Sequence, residues 1–145
     1  MNKEIYLAGL VDGDGTFRIA RQKRKEIWSP KYDCKLRIIN TSKTLMVWLK
    51  SNFGGSYWVQ RKGHSRWKDC YTWEVTSKQA IALTKKIIKY LIVKKERAEL
   101  LLELEKTFSW RKKGTKRVPE KTLIKRKEIY LKMKKLNRRG VEEVN

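Results

Sequence analysis

Leu7-Ala8-Gly9-Leu10-Val11-Asp12-Gly13-Asp14-Gly15 is the stretch on which the fold of this chain turns. Apolar residues at 5, 7, 10 and 11 suit a buried helix over about 2–13. Gly9 and Gly13, four apart, fall on one helical face and remove the side chains that would hold a second helix away. The stretch ends in two carboxylates and a glycine, directly before the strand-like run Thr16-Phe17-Arg18. A close-packed pair of such helices would bring acids from two chains to one point.

Working outward, the charge names a partner class. Lys and Arg number 37 against 15 acids, for a net +22 at pH 7 in 145 residues. An excess of that size opposes compaction through self-repulsion unless a polyanion offsets it, and nucleic acid fits best. A lysine-rich surface of the heat-adapted kind explains mixed charges better than a one-sided excess. Nothing reads as a signal peptide or an uninterrupted apolar span, so no membrane partner is expected and the chain is read as intracellular, not secreted. Cys34 and Cys70 have neither metal-ligand nor disulfide-framework spacing and read as reduced strand residues. The one histidine, His64, sits in the polar turn Lys62-Gly63-His64-Ser65, which argues against nucleases built on several histidines.

The pattern predicts one α+β domain over 1–145, with a core over about 2–108 and a basic loop and C-terminal helix over about 109–140. Two strands are expected at 15–23 and 31–40, joined through Lys25–Pro30. In the second, Cys34, Leu36 and Ile38 alternate with Asp33, Lys35 and Arg37. Asn40-Thr41-Ser42 can cap a helix carrying Leu45, Met46, Trp48 and Leu49, which stops at Gly54-Gly55. The pattern recurs with strands at 56–62 and 69–76, where Tyr71, Trp73 and Val75 share a face. Thr76-x-x-Gln79 is a capping-box candidate opening a helix with Ala80, Leu83, Ile87, Ile88 and Leu91. The order α-ββα-ββα implies an antiparallel sheet with helices on one face. Ala98, Leu101, Leu104 and Phe108 mark a further helix. Pro119 opens a last one with Leu123, Tyr130, Met133 and Leu136, and 140–145 fray.

The other sheet face is left to the polar alternates: Arg18, Ala20 and Gln22, then Asp33, Lys35, Arg37 and Ile39. A twisted ribbon bearing Arg, Lys, Gln and Asp can enter a major groove and donate to guanine and adenine edges or accept from cytosine. In the third strand, strict alternation sets Trp58, Gln60 and Lys62 against Tyr57, Val59 and Arg61 without saying which set faces out, so Gln60, Arg61 and Lys62 are all candidates. The loop Arg111–Arg117, with Lys112, Lys113 and Lys116, suits phosphates better than base edges.

Leu7 to Gly15 closely resembles the signature of the LAGLIDADG homing endonucleases, with Val for Ile and Gly for Ala, and the helix and strand order and the charge agree. With one copy of the motif, the resemblance implies a homodimer whose motif helices pair through Leu7, Ala8, Gly9, Val11, Asp12 and Gly13 at a twofold axis. The saddle-shaped sheets of the two copies would then read a long, near-palindromic double-stranded DNA site. It implies that Asp14 is the catalytic carboxylate and a ligand of Mg²⁺, for which Mn²⁺ or Ca²⁺ can substitute in binding, with the Gly13 carbonyl a further ligand. Asp12 reads as structural. Lys94, or Lys95 one place on, occupies the position of a family lysine that reaches the active site. Ser42 falls where relatives often carry a longer polar residue that positions solvent; either it acts through water, or Asn40 substitutes, or the role is missing. The implied function is site-specific, Mg²⁺-dependent, double-strand DNA cleavage by an intron-encoded enzyme. The alternatives are an intron RNA maturase and a non-catalytic DNA-binding regulator.

Overall fold

The computed structural model describes residues 1–23, 29–64, 66–108 and 118–138. In chain order the elements are α1 Lys3–Asp14, β1 Gly15–Gln22, β2 Lys31–Asn40, α2 Lys43–Phe53, β3 Ser56–Arg61, β4 Cys70–Thr76, α3 Ser77–Ile87, α4 Lys95–Lys106 and α5 Glu120–Leu136. The four strands form one antiparallel sheet in the order β1-β2-β4-β3. The expected basic loop, including Lys112, Lys113 and Lys116, and most of the segment from Lys25 to Pro30 lie outside the described residues, as do residues 140–145. No helix among the described residues is long and apolar enough to cross a membrane.

Register places the core on one sheet face. Phe17 pairs with Leu36, Leu36 with Val75, and Ile38 with Trp73, and all five are buried under the helices. Leu7 and Val11 of α1, Met46 and Leu49 of α2, Ile87 of α3, Leu101 and Leu104 of α4, and Ile129 and Met133 of α5 close over them. Fixed period-2 alternation then sends Arg18, Lys35, Arg37 and Glu74 to the opposite face, which no helix among the described residues covers.

Local chemistry sets the boundaries. The Asn2 side chain accepts from the amides of Glu4 and Ile5 and starts α1. α2 ends because Gly54 and Gly55 take φ of +76° and +77°, values that other residues rarely adopt. That turn lets the Trp73 indole donate to the Gly54 carbonyl at 2.9 Å. Two details differ from expectation. The Thr76 capping box does not form: Thr76 makes no side-chain cap bond, and Ser77, at φ +53°, donates its hydroxyl to Asp33 Oδ1 instead. The helix through Ile88 and Leu91 tightens after Ile87 into a 3-10 turn, Ile88–Tyr90. Arg126 of α5, unremarked in the sequence, is buried and donates to the hydroxyl and carbonyl of Thr107 just past α4.

Candidate active site and nucleic-acid interface

The two acids of the motif part company at the foot of α1. Asp12 turns inward: Oδ2 accepts from the Ile92 amide at 2.8 Å, and Oδ1 from the amides of Val93 and Lys94 at 3.2 and 3.0 Å. It holds the connector between the 3-10 turn and α4, a structural role as expected. Asp14 is the last residue of α1 and is exposed. One helical step is about 100°, so neighbours two apart lie on nearly opposite faces. Gly15 makes the exit from helix to strand possible. A Cβ there would lie 2.6 Å from Val11 Cα and 2.8 Å from its carbonyl oxygen.

Lys94 reaches the same corner. Its ammonium donates to the Val11 carbonyl at 3.0 Å and to the Gly15 carbonyl, the chain positions on either side of Asp14. α1 has no basic residue in its own last turn, and Lys94 fills that role for the helix C-terminus. Burial pushes the Lys94 ammonium below its ordinary pKa and Arg97 adds to this, while Asp12 and Asp14 pull it back up. Lys95 begins α4 and is exposed, so of the two lysines it is Lys94 whose ammonium is bonded at the foot of α1.

Asn40, not Ser42, stands beside the acid. Asn40 Nδ2 donates to Asp14 Oδ2 at 3.3 Å, while its Oδ1 accepts from the Ser42 amide. Ser42 is committed as the cap of α2, its hydroxyl accepting from the Leu45 amide at 3.2 Å. Of the alternatives that the sequence left open, it is Asn40 that lies beside Asp14, while the Ser42 hydroxyl caps α2.

The assignment of residues to a dimer face also changes. Leu7, Ala8 and Val11 are buried in the chain's own core, and Asp12 is spent on the connector. The outward face of α1 instead carries Ile5, Tyr6, Gly9 and Gly13, all exposed. A Cβ built at Gly9 or Gly13 meets nothing within 4 Å.

The uncovered sheet face is crowded with cations. Arg18 sits directly across from Lys35, a like-charge pair that costs stability unless an anion answers it. Gln22 ends β1 on the same face. A bulge between Val59 and Arg61 breaks the alternation of β3. Gln60, which accepts from the Thr72 hydroxyl, and Arg61, paired with Cys70, therefore share the open face. Lys62 follows just beyond the strand, exposed. The sets read as alternatives in the sequence are thus merged by one extra residue. Arg37 is not free: it is bonded to Glu74, an acid that the sequence reading passed over although it lies in the polar phase of β4, between Trp73 and Val75.

The profile of the LAGLIDADG endonuclease family matches residues 7–102. The chain belongs to the LAGLIDADG endonuclease family. The match takes in the motif itself, the whole sheet and most of α4, and it bears out the resemblance drawn from Leu7 to Gly15. No curated protein matches the sequence of this LAGLIDADG chain. Among solved structures it is similar to the homing endonuclease I-CvuI, in complex with its target in the presence of Ca: TM-score 0.76 and 19% identity, over 97% of this chain and 84% of that one. An archaeal intron-encoded homing endonuclease complexed with DNA gives a TM-score of 0.74 and 16% identity, over 99% and 89%. The LAGLIDADG homing endonuclease I-GzeII, in complex with a DNA target, gives 0.67 and 20% over 88% of this chain and 43% of that one. At these identities the likeness establishes a shared α+β fold.

Proposed function

We propose that this chain is a site-specific DNA endonuclease that acts as a homodimer and hydrolyses phosphodiester bonds in both strands with Mg²⁺. The observation that carries the reading is the state of Asp14: an exposed carboxylate, at the end of a helix whose outer face is bare at Gly9 and Gly13. Pairing two such helices sets two Asp14 side chains together, where mutual repulsion favours a bound cation.

The donor chemistry suits a hard ion. Asp14 supplies carboxylate oxygens, and the Gly13 carbonyl lies in the last helical turn, where the helix offers it no amide. Cys34 is buried in the sheet core and His64 sits in the β3–β4 turn. Among the described residues no group of three or more His, Cys, Asp or Glu side chains could hold a metal. Further ligands would therefore come from a second copy, from phosphates and from water. Bound Mg²⁺ would supply charge stabilisation to the phosphate oxygens and a water of lowered pKa. Lys94 fixes the main chain on both sides of Asp14 and adds positive charge at the site. Asn40 restrains the carboxylate through one hydrogen bond and can orient a neighbouring water.

The test is digestion of a randomised duplex library by the full chain with Mg²⁺, followed by sequencing of the ends. A long, near-palindromic cut site supports enzyme, substrate and twofold symmetry together. Persistent failure to cut or to enrich any sequence overturns the reading.

A further inference from the structure

Glu74 is out of place by simple electrostatics. It lies on the uncovered sheet face of a chain with net charge +22, where a carboxylate repels the phosphates that the cations attract. It is also nearly sealed, its side chain 10% exposed. Burying an acid there is costly unless its oxygens are well used.

They are used on Arg37. Arg37 Nε and Nη2 both donate to Glu74 Oε2, at 2.9 and 2.7 Å, and Lys35 Nζ stands 3.8 Å from Oε1. Arg37 and Glu74 are directly opposed on β2 and β4, the two central strands. The Nε and Nη2 pair is the side edge of the guanidinium plane. Its other paired edge, formed by the two terminal nitrogens, is not engaged by the carboxylate. That end edge carries two parallel donors in the geometry that matches guanine O6 and N7. A free arginine must give up several rotors to make such a contact, whereas one already held side-on loses less.

Resting on the reading of this face as a DNA interface, we infer that Glu74 is a positioning residue for base recognition. It holds Arg37 side-on so that the end edge of the guanidinium reads a guanine at one base pair in each half-site. Glu74 touches no base itself. The competing account is that Glu74 only relieves repulsion between Lys35, Arg37 and Arg18, which would affect stability without touching the preference at any single base.

The experiment is selection of bound duplexes from a library randomised over the site, using full-length wild type, Glu74→Gln, Arg37→Ala, Arg37→Lys and the Glu74→Gln/Arg37→Ala double variant, with thermal unfolding of each recorded in parallel. Wild type should favour guanine at one position per half-site by about 5- to 150-fold. Glu74→Gln, Arg37→Ala and Arg37→Lys should each lose most of that preference at the same position, with the preferences elsewhere in the site retained. The double variant should be no worse there than Arg37→Ala, since both act through one contact. Full guanine preference in Glu74→Gln or Arg37→Lys, or an even loss over all positions, overturns the inference while leaving the DNA reading intact. Wild type that selects no sequence overturns both.

Discussion

Replacing Asp12 separates the two acids of the motif by their physics. Asp12 accepts three backbone amides, from Ile92, Val93 and Lys94, and hydrogen bonds to a charged acceptor are worth about 1.5–3 kcal/mol each. Ile92 and Val93 are exposed, so water replaces much of what is lost. Asp12→Ala should therefore cost about 2–3 kcal/mol in total, and Asp12→Asn roughly half of that because one carbonyl oxygen remains. Against a domain stability of about 5–15 kcal/mol this is a large fraction. Urea unfolding followed by tryptophan fluorescence reads it as a midpoint lowered by about 1 M at unchanged slope. The Lys94 amide is one of the three, so Asp12→Ala also frees the residue that braces Asp14, and cleavage should fall with stability. Asp14→Asn, with its single bond at 3.3 Å, should unfold close to wild type. The reasoning is refuted if Asp12→Ala unfolds within about 0.5 kcal/mol of wild type, or if Asp14→Asn destabilises as much as Asp12→Ala.

Other consequences are simpler to read. Gly15→Ala drives a Cβ into Val11 and should destabilise by about 1–3 kcal/mol in the same unfolding assay. Gly9→Ala and Gly13→Ala meet open space within one chain, so each should leave folding intact or improve it by up to about 1 kcal/mol. Gly13→Leu should shift sedimentation from dimer to monomer; an unchanged dimer contradicts the assigned helix face. Burial pushes the Cys34 thiol from 9.0 up to about 12. Native protein near neutral pH should therefore react with a thiol reagent at Cys70 before Cys34, and unfolded protein at both. The sign for stability follows: the fold favours the protonated thiol, so this contribution is complete below about pH 9 and is lost between 9 and 12. DNA affinity should fall steeply with salt, about 10³-fold or more between roughly 50 and 200 mM if six or more phosphates are contacted.

Where a residue's role depends on period, the sequence was readable. The alternation in β2 sent Cys34, Leu36 and Ile38 to the core, and Gly54-Gly55 stopped α2, because sheet pleat and positive φ leave few alternatives. Asp14 was singled out by the motif and Lys94 by the family resemblance, and the structure sets both at the foot of α1. What stayed hidden depends on contacts between elements. The two faces of α1 overlap in one short apolar stripe, so Leu7, Ala8 and Val11 could not be assigned to the core or to a partner by spacing alone. The bulge at Gln60 adds one residue, which no alternation predicts. Asn40 ends β2 and Ser42 caps α2 two residues later, and only the cap geometry decides which one faces Asp14. Glu74 was visible as a polar alternate in β4, yet its meaning lies in Arg37, 37 residues away.

The most direct test of the account is cleavage of the selected duplex by Asp14→Asn beside wild type, at matched DNA occupancy and with Mg²⁺ present. Wild type should cut both strands, while the variant should bind the site and leave both strands whole. Cleavage by Asp14→Asn at the wild-type rate would contradict the claim that this carboxylate carries the chemistry.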